Sequence, residues 1–326
     1  MTDLKPRIGL VGAGGIASAH LPGLLRAASE VRVVSEDYGP AFRDDRLRRA
    51  ASLDELIGWA EIVDIATPSD THYRIAAAAL SAGRHVICEK PLALRVADAA
   101  ELVALAERNA VHLFPAHVVR YFPAYHEAKR ALDAGSLGPI AVMRFVRSGS
   151  FPWQSWFAET RRSGGVVGDL MIHDFDMARW FAGDVVRVSA LRRRVEEGGR
   201  PMEAAHVLLT HASGTITQVA GLWGAPDLRF TTEFSVTGTL GSLTFSSGAE
   251  ENYVLDPSHL VDGSNFLPAR DEDDDDPYTR EIAAYVAACR GGAAPRVAAR
   301  DGLEAVRIAV AALTSIETGQ PVEIAQ

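Results

Sequence analysis

The chain predicts an α/β protein: a doubly wound parallel sheet at the N-terminal end, then an α+β half with a large, open, mostly antiparallel sheet. Three observations carry this. Up to about residue 120, short continuous apolar runs alternate with longer segments of helical period, the written form of repeated βα units. Beyond that point the strand-like segments lengthen and alternate apolar with polar residues, as in a sheet with one covered and one open face. A length of 326 residues, at roughly 150 per domain, gives about two domains, expected at 1–120 and 121–326.

Taken in order, the runs 8–11, 31–34, 62–66, 86–88 and 111–114 are nearly continuously apolar, which suits strands covered by helices on both faces. Five such strands complete a compact domain. The connections 70–82 and 97–109 are rich in Ala and Leu, good helix formers, and the first stops at Gly83, where a glycine cap belongs. The connection 38–51 is shorter, charged and only weakly periodic. In the second half, 140–148, 185–194, 204–210, 214–221 and 229–237 read as strands, and the Gly-containing links 212–214 and 237–239 fit antiparallel hairpins. The acidic run 271–276 precedes a helix beginning near Pro277 and reads as a solvated loop whose carboxylates favour the helix N-terminus. Helices at 278–290 and 300–318 and a short segment at 322–324 close the chain.

Composition narrows the function. Hydrophobic residues make up 48% and charged ones 23%, the balance of an ordinary globular protein. Thirty-three basic side chains against 42 acidic ones leave a formal charge of −9, and that field repels phosphate backbones and anionic lipid surfaces. Nucleic acid and membrane are therefore not expected as partners. Cys88 and Cys289 stand far apart, without a Cys-x-x-Cys or Cys/His cluster, so neither a disulfide framework nor a metal site is expected, and a cytoplasmic location fits. An open sheet face with apolar positions points to a homo-oligomer.

Three strings carry chemistry. After the first strand comes Gly12-Ala13-Gly14-Gly15-Ile16-Ala17: Gly12 for a tight turn, Gly14 for close approach of a pyrophosphate, Ala17 for helix-strand packing, with the helix N-terminus facing the phosphates. Glu36, at the end of the second strand, stands where a carboxylate hydrogen-bonds the adenosine ribose and repels a 2′-phosphate, favouring NAD over NADP. Lys90, one of only three lysines, follows the fourth run in Cys88-Glu89-Lys90-Pro91-Leu92, at the sheet edge where ligands bind; an ammonium there can polarise an oxygen. On a helix, Asp169 and His173 at i and i+4 share a face, and a carboxylate beside an imidazole suits a general base. Trp153 and Trp156 read equally as core packing or as a stacking surface for a sugar ring.

In this order these strings resemble the Gfo/Idh/MocA oxidoreductases over nearly the whole chain: the glycine fingerprint with His20 downstream, Ala66-Thr67-Pro68 followed by His72, the Glu89-Lys90-Pro91 block, and Gly164-Gly165 through Asp169 to His173. The resemblance implies an N-terminal Rossmann domain, a C-terminal domain with a large open sheet, and dimers or tetramers built through that sheet. It also implies roles. His173 is the proton acceptor, Asp169 its partner, and Lys90 binds the reacting oxygen. Gly12, Gly14, Gly15, Ile16, Glu36, Thr67, Pro68, His72, Glu89 and Pro91 line the cofactor, and His117 and Arg120 border cofactor and substrate. The implied reaction is hydride transfer between a nicotinamide cofactor and a secondary alcohol of a sugar, polyol or related compound. Two further readings stand beside it: an NAD-dependent glycosidase using transient oxidation, and a non-catalytic dinucleotide-binding regulator. The shortened second βα connection departs from the family pattern, as does Val119 before Arg120 where inositol-oxidising members carry two consecutive arginines.

Overall fold

The computed structural model describes residues 5–152, 155–197, 200–249, 253–257 and 276–325. The chain divides into two compact units, Met1–Tyr121 with Asp273–Val306, and Phe122–Glu272 with Arg307–Gln326.

The first unit runs β1 (Arg7–Val11), α1 (Gly15–Ala27), β2 (Glu30–Val34), β3 (Leu47–Arg49), α2 (Leu53–Trp59), β4 (Ile62–Ile65), α3 (His72–Ser81), β5 (His85–Glu89), α4 (Val96–Arg108) and β6 (Leu113–Ala116). Its strands lie in the order β3-β2-β1-β4-β5-β6, and every pairing is parallel. The sequence leads one to expect five strands; the structure has six. The extra one, β3, is a three-residue edge strand reading Leu-Arg-Arg, and its arginines sit outside the buried apolar pattern by which the other strands are recognised. Chain order reverses across β1 and β4, and in such sheets that crevice, at the carboxyl ends of the strands, is where ligands bind.

The second unit begins with α5 (Pro123–Asp133) and β7 (Ile140–Ser150), continues through the short α6 (Ser155–Ala158) and α7 (Thr160–Ser163) to α8 (Ile172–Ala182), and then builds β8 (Val185–Glu197), β9 (Arg200–His211), β10 (Ile216–Gly224), β11 (Thr231–Gly238), β12 (Gly241–Ser246) and β13 (Tyr253–Pro257). Two helices, α9 (Pro277–Cys289) and α10 (Ala299–Thr318), and the edge strand β14 (Val322–Glu323) complete the chain. The sheet order is β13-β12-β11-β7-β10-β9-β8-β14. Only β7 and β10 pair parallel; the other neighbours are antiparallel. One face buries Met143, Phe145, Val188, Val207, Leu209, Val219 and Phe234. The opposite face leaves Leu191 76%, Leu208 52%, Ile216 50% and Val142 45% exposed on four adjacent strands.

Within the first unit, α9 contributes Ile282, Tyr285 and Val286 to the core formed by Ile8, Leu10, Leu24, Val31 and Phe114. Asp276, last residue of the acidic run, caps α9: its Oδ1 accepts from the Tyr278 and Thr279 N–H groups at 3.0 and 3.2 Å. Burial pushes this carboxyl upward, yet the Thr279 hydroxyl and these N–H groups hold it below its usual value. Residues 271–275 lie outside the described ones. No described helix is long and apolar enough to cross a membrane.

Candidate active site

The glycine turn is set by sterics. Gly12 adopts φ +101°, and a Cβ there would stand 2.4 Å from the Ala66 carbonyl oxygen, so only glycine fits between the ends of β1 and β4. Its N–H donates to Val34 O at 2.9 Å, tying the turn to the end of β2. Over Gly14 and Gly15 no described atom comes within 4 Å of a Cβ position. Gly14 is the N-cap of α1 and supplies no side-chain cap, so the helix presents its first N–H groups to that open space, an arrangement that fits a pyrophosphate. Ile16 is half-buried and Ala17 fully buried against the sheet. Glu36 is exposed, two residues beyond β2; its loop returns to the turn where Gly39 N–H meets Ala13 O at 3.4 Å.

Lys90 is half-buried, one residue past the end of β5, and is joined to Pro91 by a cis peptide. The residues on both sides of it are tied down. Glu89, 4% exposed, accepts the Lys90 N–H on Oε2 at 3.0 Å, while its Oε1 lies 3.0 Å from His20 Nε2. His20 Nδ1 lies 2.9 Å from Asp64 Oδ2. Burial on its own would lower His20, but Asp64 and then Glu89 carry it well above its ordinary value; Glu89, which burial would raise, is held low by His20 and Lys90. His72, expected at the cofactor, is 1% exposed, and its ring nitrogens lie 2.8 Å from the Pro91 carbonyl and 2.8 Å from the Thr67 carbonyl. It braces the segments after β4 and β5. Burial pushes it below its ordinary value. Thr67 and Pro68 are half-buried on the same β4 edge, with Thr67 Oγ1 2.7 Å from Thr71 Oγ1.

His117 and Arg120 lie just past β6. His117 is 1% exposed and its carbonyl accepts the Arg120 N–H at 3.2 Å. Arg120, expected beside the substrate, is 2% exposed, and its Nη1 is given to the Arg296 carbonyl at 2.7 Å and Asp301 Oδ2 at 3.1 Å. That ties the segment after β6 to the α9–α10 connection and to the first turn of α10.

In the second unit the Asp169/His173 spacing is not that of one regular α-helix. Residues Val166–Leu170 form a π turn closed by the Met171 N–H on Val166 O at 2.9 Å, and α8 starts only at Ile172. An i→i+5 turn changes the angular step per residue, so the two side chains are placed by this junction rather than by α-helical spacing. Gly164 and Gly165, at φ +80° and +63°, lead into the turn; a Cβ on Gly164 would meet Gly168 Cα at 2.8 Å. Asp169 and His173 are half-buried. Beneath His173, α8 is fastened to the sheet by Asp174, 0% exposed, which takes Arg147 Nη2 at 2.8 Å and Nε at 3.1 Å. Burial pushes Asp174 up and Arg147 opposes it, while Arg147 is itself raised; the fork-on-carboxylate geometry is that of an ionised pair. Trp156 is half-buried and stacks on Phe157 with ring centroids 3.6 Å apart. Trp153 lies outside the described residues.

Sequence reasoning had no role for Asp64, Glu281 or Arg147. Two of them carried a signal: Asp64 interrupts the apolar run 62–66, and Arg147 occupies an inward position of β7 after Met143 and Phe145. A charge at a core position demands a partner.

Both halves of the chain match known proteins. A family model described as "Oxidoreductase family, NAD-binding Rossmann fold" matches residues 6–117, and one for the GFO/IDH/MocA C-terminal domain matches 125–244. D-apiose dehydrogenase of Paraburkholderia graminis is 32% identical, over 88% of this chain and 79% of that protein. Inositol 2-dehydrogenase 1 of Saccharopolyspora erythraea is 28% identical, over 98% of this chain and 96% of that one. Among solved structures, GenD2 from gentamicin A biosynthesis, in complex with NAD, superposes with a TM-score of 0.83 at 25% identity, covering 99% of this chain and 97% of that one. With both halves matched in order and the glycine turn seated at the switch point, this chain belongs to the Gfo/Idh/MocA oxidoreductases, whose N-terminal half is an NAD-binding Rossmann fold.

Proposed function

We propose that this protein is an NAD-dependent dehydrogenase that oxidises a secondary alcohol of a sugar, polyol or related compound. The observation that carries the reading is Lys90, fixed at the carboxyl edge of β5 by bonds to both neighbouring residues. A lysine so fixed, in a chain whose relatives include an apiose and an inositol dehydrogenase, is suited to hold a reacting oxygen.

The glycine turn and the N-terminus of α1 would hold the pyrophosphate, Glu36 the adenosine ribose, and the segments of Thr67, Pro68, Glu89 and Pro91 the nicotinamide half. A nicotinamide ring held there would supply the acceptor for the hydride of the carbinol carbon. The rest is the protein's work. His173 accepts the hydroxyl proton, Asp169 favours the resulting imidazolium, and the Lys90 ammonium donates a hydrogen bond to the oxygen as it becomes a carbonyl. His117 and Trp156 are the side chains assigned to the substrate. Glu36 disfavours a 2′-phosphate and so selects NAD over NADP. The exposed row Leu191, Leu208, Ile216 and Val142 is covered by a second copy of the chain, giving a homodimer or homotetramer, because open apolar sheet faces of this kind are common subunit interfaces.

His173→Ala separates base from scaffold: kcat is expected to fall on the order of 100-fold or more, with NAD affinity nearly unchanged. Equal loss of turnover and NAD affinity would remove His173 from proton transfer.

A further inference from the structure

The ring of His20 is completely buried, and both its nitrogens face carboxylates: Asp64 Oδ2 at 2.9 Å and Glu89 Oε1 at 3.0 Å. A carboxylate can only accept, so both contacts are hydrogen bonds at once only when both ring nitrogens carry protons. A third carboxyl, Glu281, is 0% exposed and accepts the Tyr285 hydroxyl on Oε1 at 2.9 Å. Burial foremost, with Glu89 and Asp64 adding and His20 opposing, pushes Glu281 well above its ordinary value. The second oxygen of Glu89 accepts the Lys90 main-chain N–H. On the other flank His72 holds the Pro91 carbonyl.

We propose that His20 is a positioning residue for Lys90: lodged between Asp64 and Glu89, it fixes the Glu89 carboxylate, and through that carboxylate the main chain of Lys90 at the carboxyl edge of β5. The inference rests on the dehydrogenase reading for the role of Lys90, while the clamp itself is a matter of this chain alone. It explains why a strand as apolar as β4 carries Asp64 at its centre, where a charge is costly unless paired. It also accounts for a buried imidazole on α1, a helix that otherwise packs Ala17, Leu21 and Leu24 inward.

The test combines hydrogen exchange on the protein without nicotinamide with steady-state kinetics. In His20→Gln the Lys90 amide is expected to exchange at least about tenfold faster, the worth of one buried hydrogen bond, while the amides of 86–88 keep their rates. Turnover is expected to fall about tenfold with KM for NAD within about twofold. In a Lys90→Ala background the same substitution is expected to lower the residual rate no further. Unchanged exchange at Lys90, uniform acceleration along β5, or an equal fractional loss of turnover in both backgrounds each overturns the inference. Full turnover in Lys90→Ala alone overturns the dehydrogenase role of Lys90 as well, a result told apart because the exchange measurement does not involve turnover. Should His20→Gln fail to fold, Glu89→Gln, which keeps the shape but leaves one acceptor oxygen in place of two, is expected to speed exchange of the Lys90 amide in the same way, and unchanged exchange there overturns the inference.

Discussion

Gly12 and Gly14 sit two residues apart and are glycines for different reasons. At Gly12 a methyl group would lie 2.4 Å from the Ala66 carbonyl oxygen, with φ +101° as a further strain. At Gly14 a methyl group meets no described atom within 4 Å. Gly12→Ala is therefore expected to cost about 1–3 kcal/mol of stability, seen in urea unfolding, together with NAD affinity. Gly14→Ala is expected to fold as stably as wild type and to lose NAD affinity alone, since its methyl group enters the space beside the α1 N-terminus. Matching behaviour of the two variants would contradict the division. At this scale much of the candidate site is legible in sequence, because the glycine turn and the Glu89-Lys90-Pro91 block are local strings whose neighbours in the chain are also their neighbours in space. His72 and Arg120 are the counterexamples. Each has the expected residue type in the expected string, yet each side chain is bonded to groups distant in sequence: His72 to the Pro91 carbonyl, Arg120 to Asp301 and Arg296.

Among the elements, α8 is held to β7 by one buried ion pair. Removing the cation alone, as in Arg147→Met, leaves Asp174 buried without compensation, and a loss of about 3–5 kcal/mol is expected in chemical denaturation. The double variant Arg147→Met with Asp174→Leu is expected to regain most of that loss, because no buried charge remains. A double variant as unstable as the single one would mean that the pair contributes through geometry that apolar residues cannot replace. The elements that escaped sequence reasoning share a cause. The edge strand β3 offers one apolar residue in three, the π turn adds a residue that no helical period records, and the parallel pairing of β7 with β10 joins strands about seventy residues apart. Strands buried on both faces, such as β4 and β5, were legible because continuous burial requires a continuous apolar run.

For the whole molecule, the buried titrating groups set a pH window for stability. His20 is raised above 6.5 in the folded protein, so its contribution is complete below that value and is lost as pH rises through the folded one. Glu281, raised above 4.5, acts in the same direction. Glu89 is lowered from 4.5, so its contribution is present above that value and is lost as pH falls through the lowered one. Thermal melts are therefore expected to be highest on the mildly acid side, with a decline as pH falls below 4.5 and a second as it rises past 6.5 through neutrality, and His20→Gln is expected to flatten the second decline. An alkaline arm of equal slope in the variant would assign that decline to other groups. The measurement that bears most directly on the account as a whole is nicotinamide absorbance with NAD and a panel of sugars, polyols and inositols, run side by side on the wild-type protein and Lys90→Ala. A substrate-dependent rise is expected from the wild-type protein and its loss from the variant. A rise that survives in Lys90→Ala, or silence across the panel with NAD bound, would contradict it.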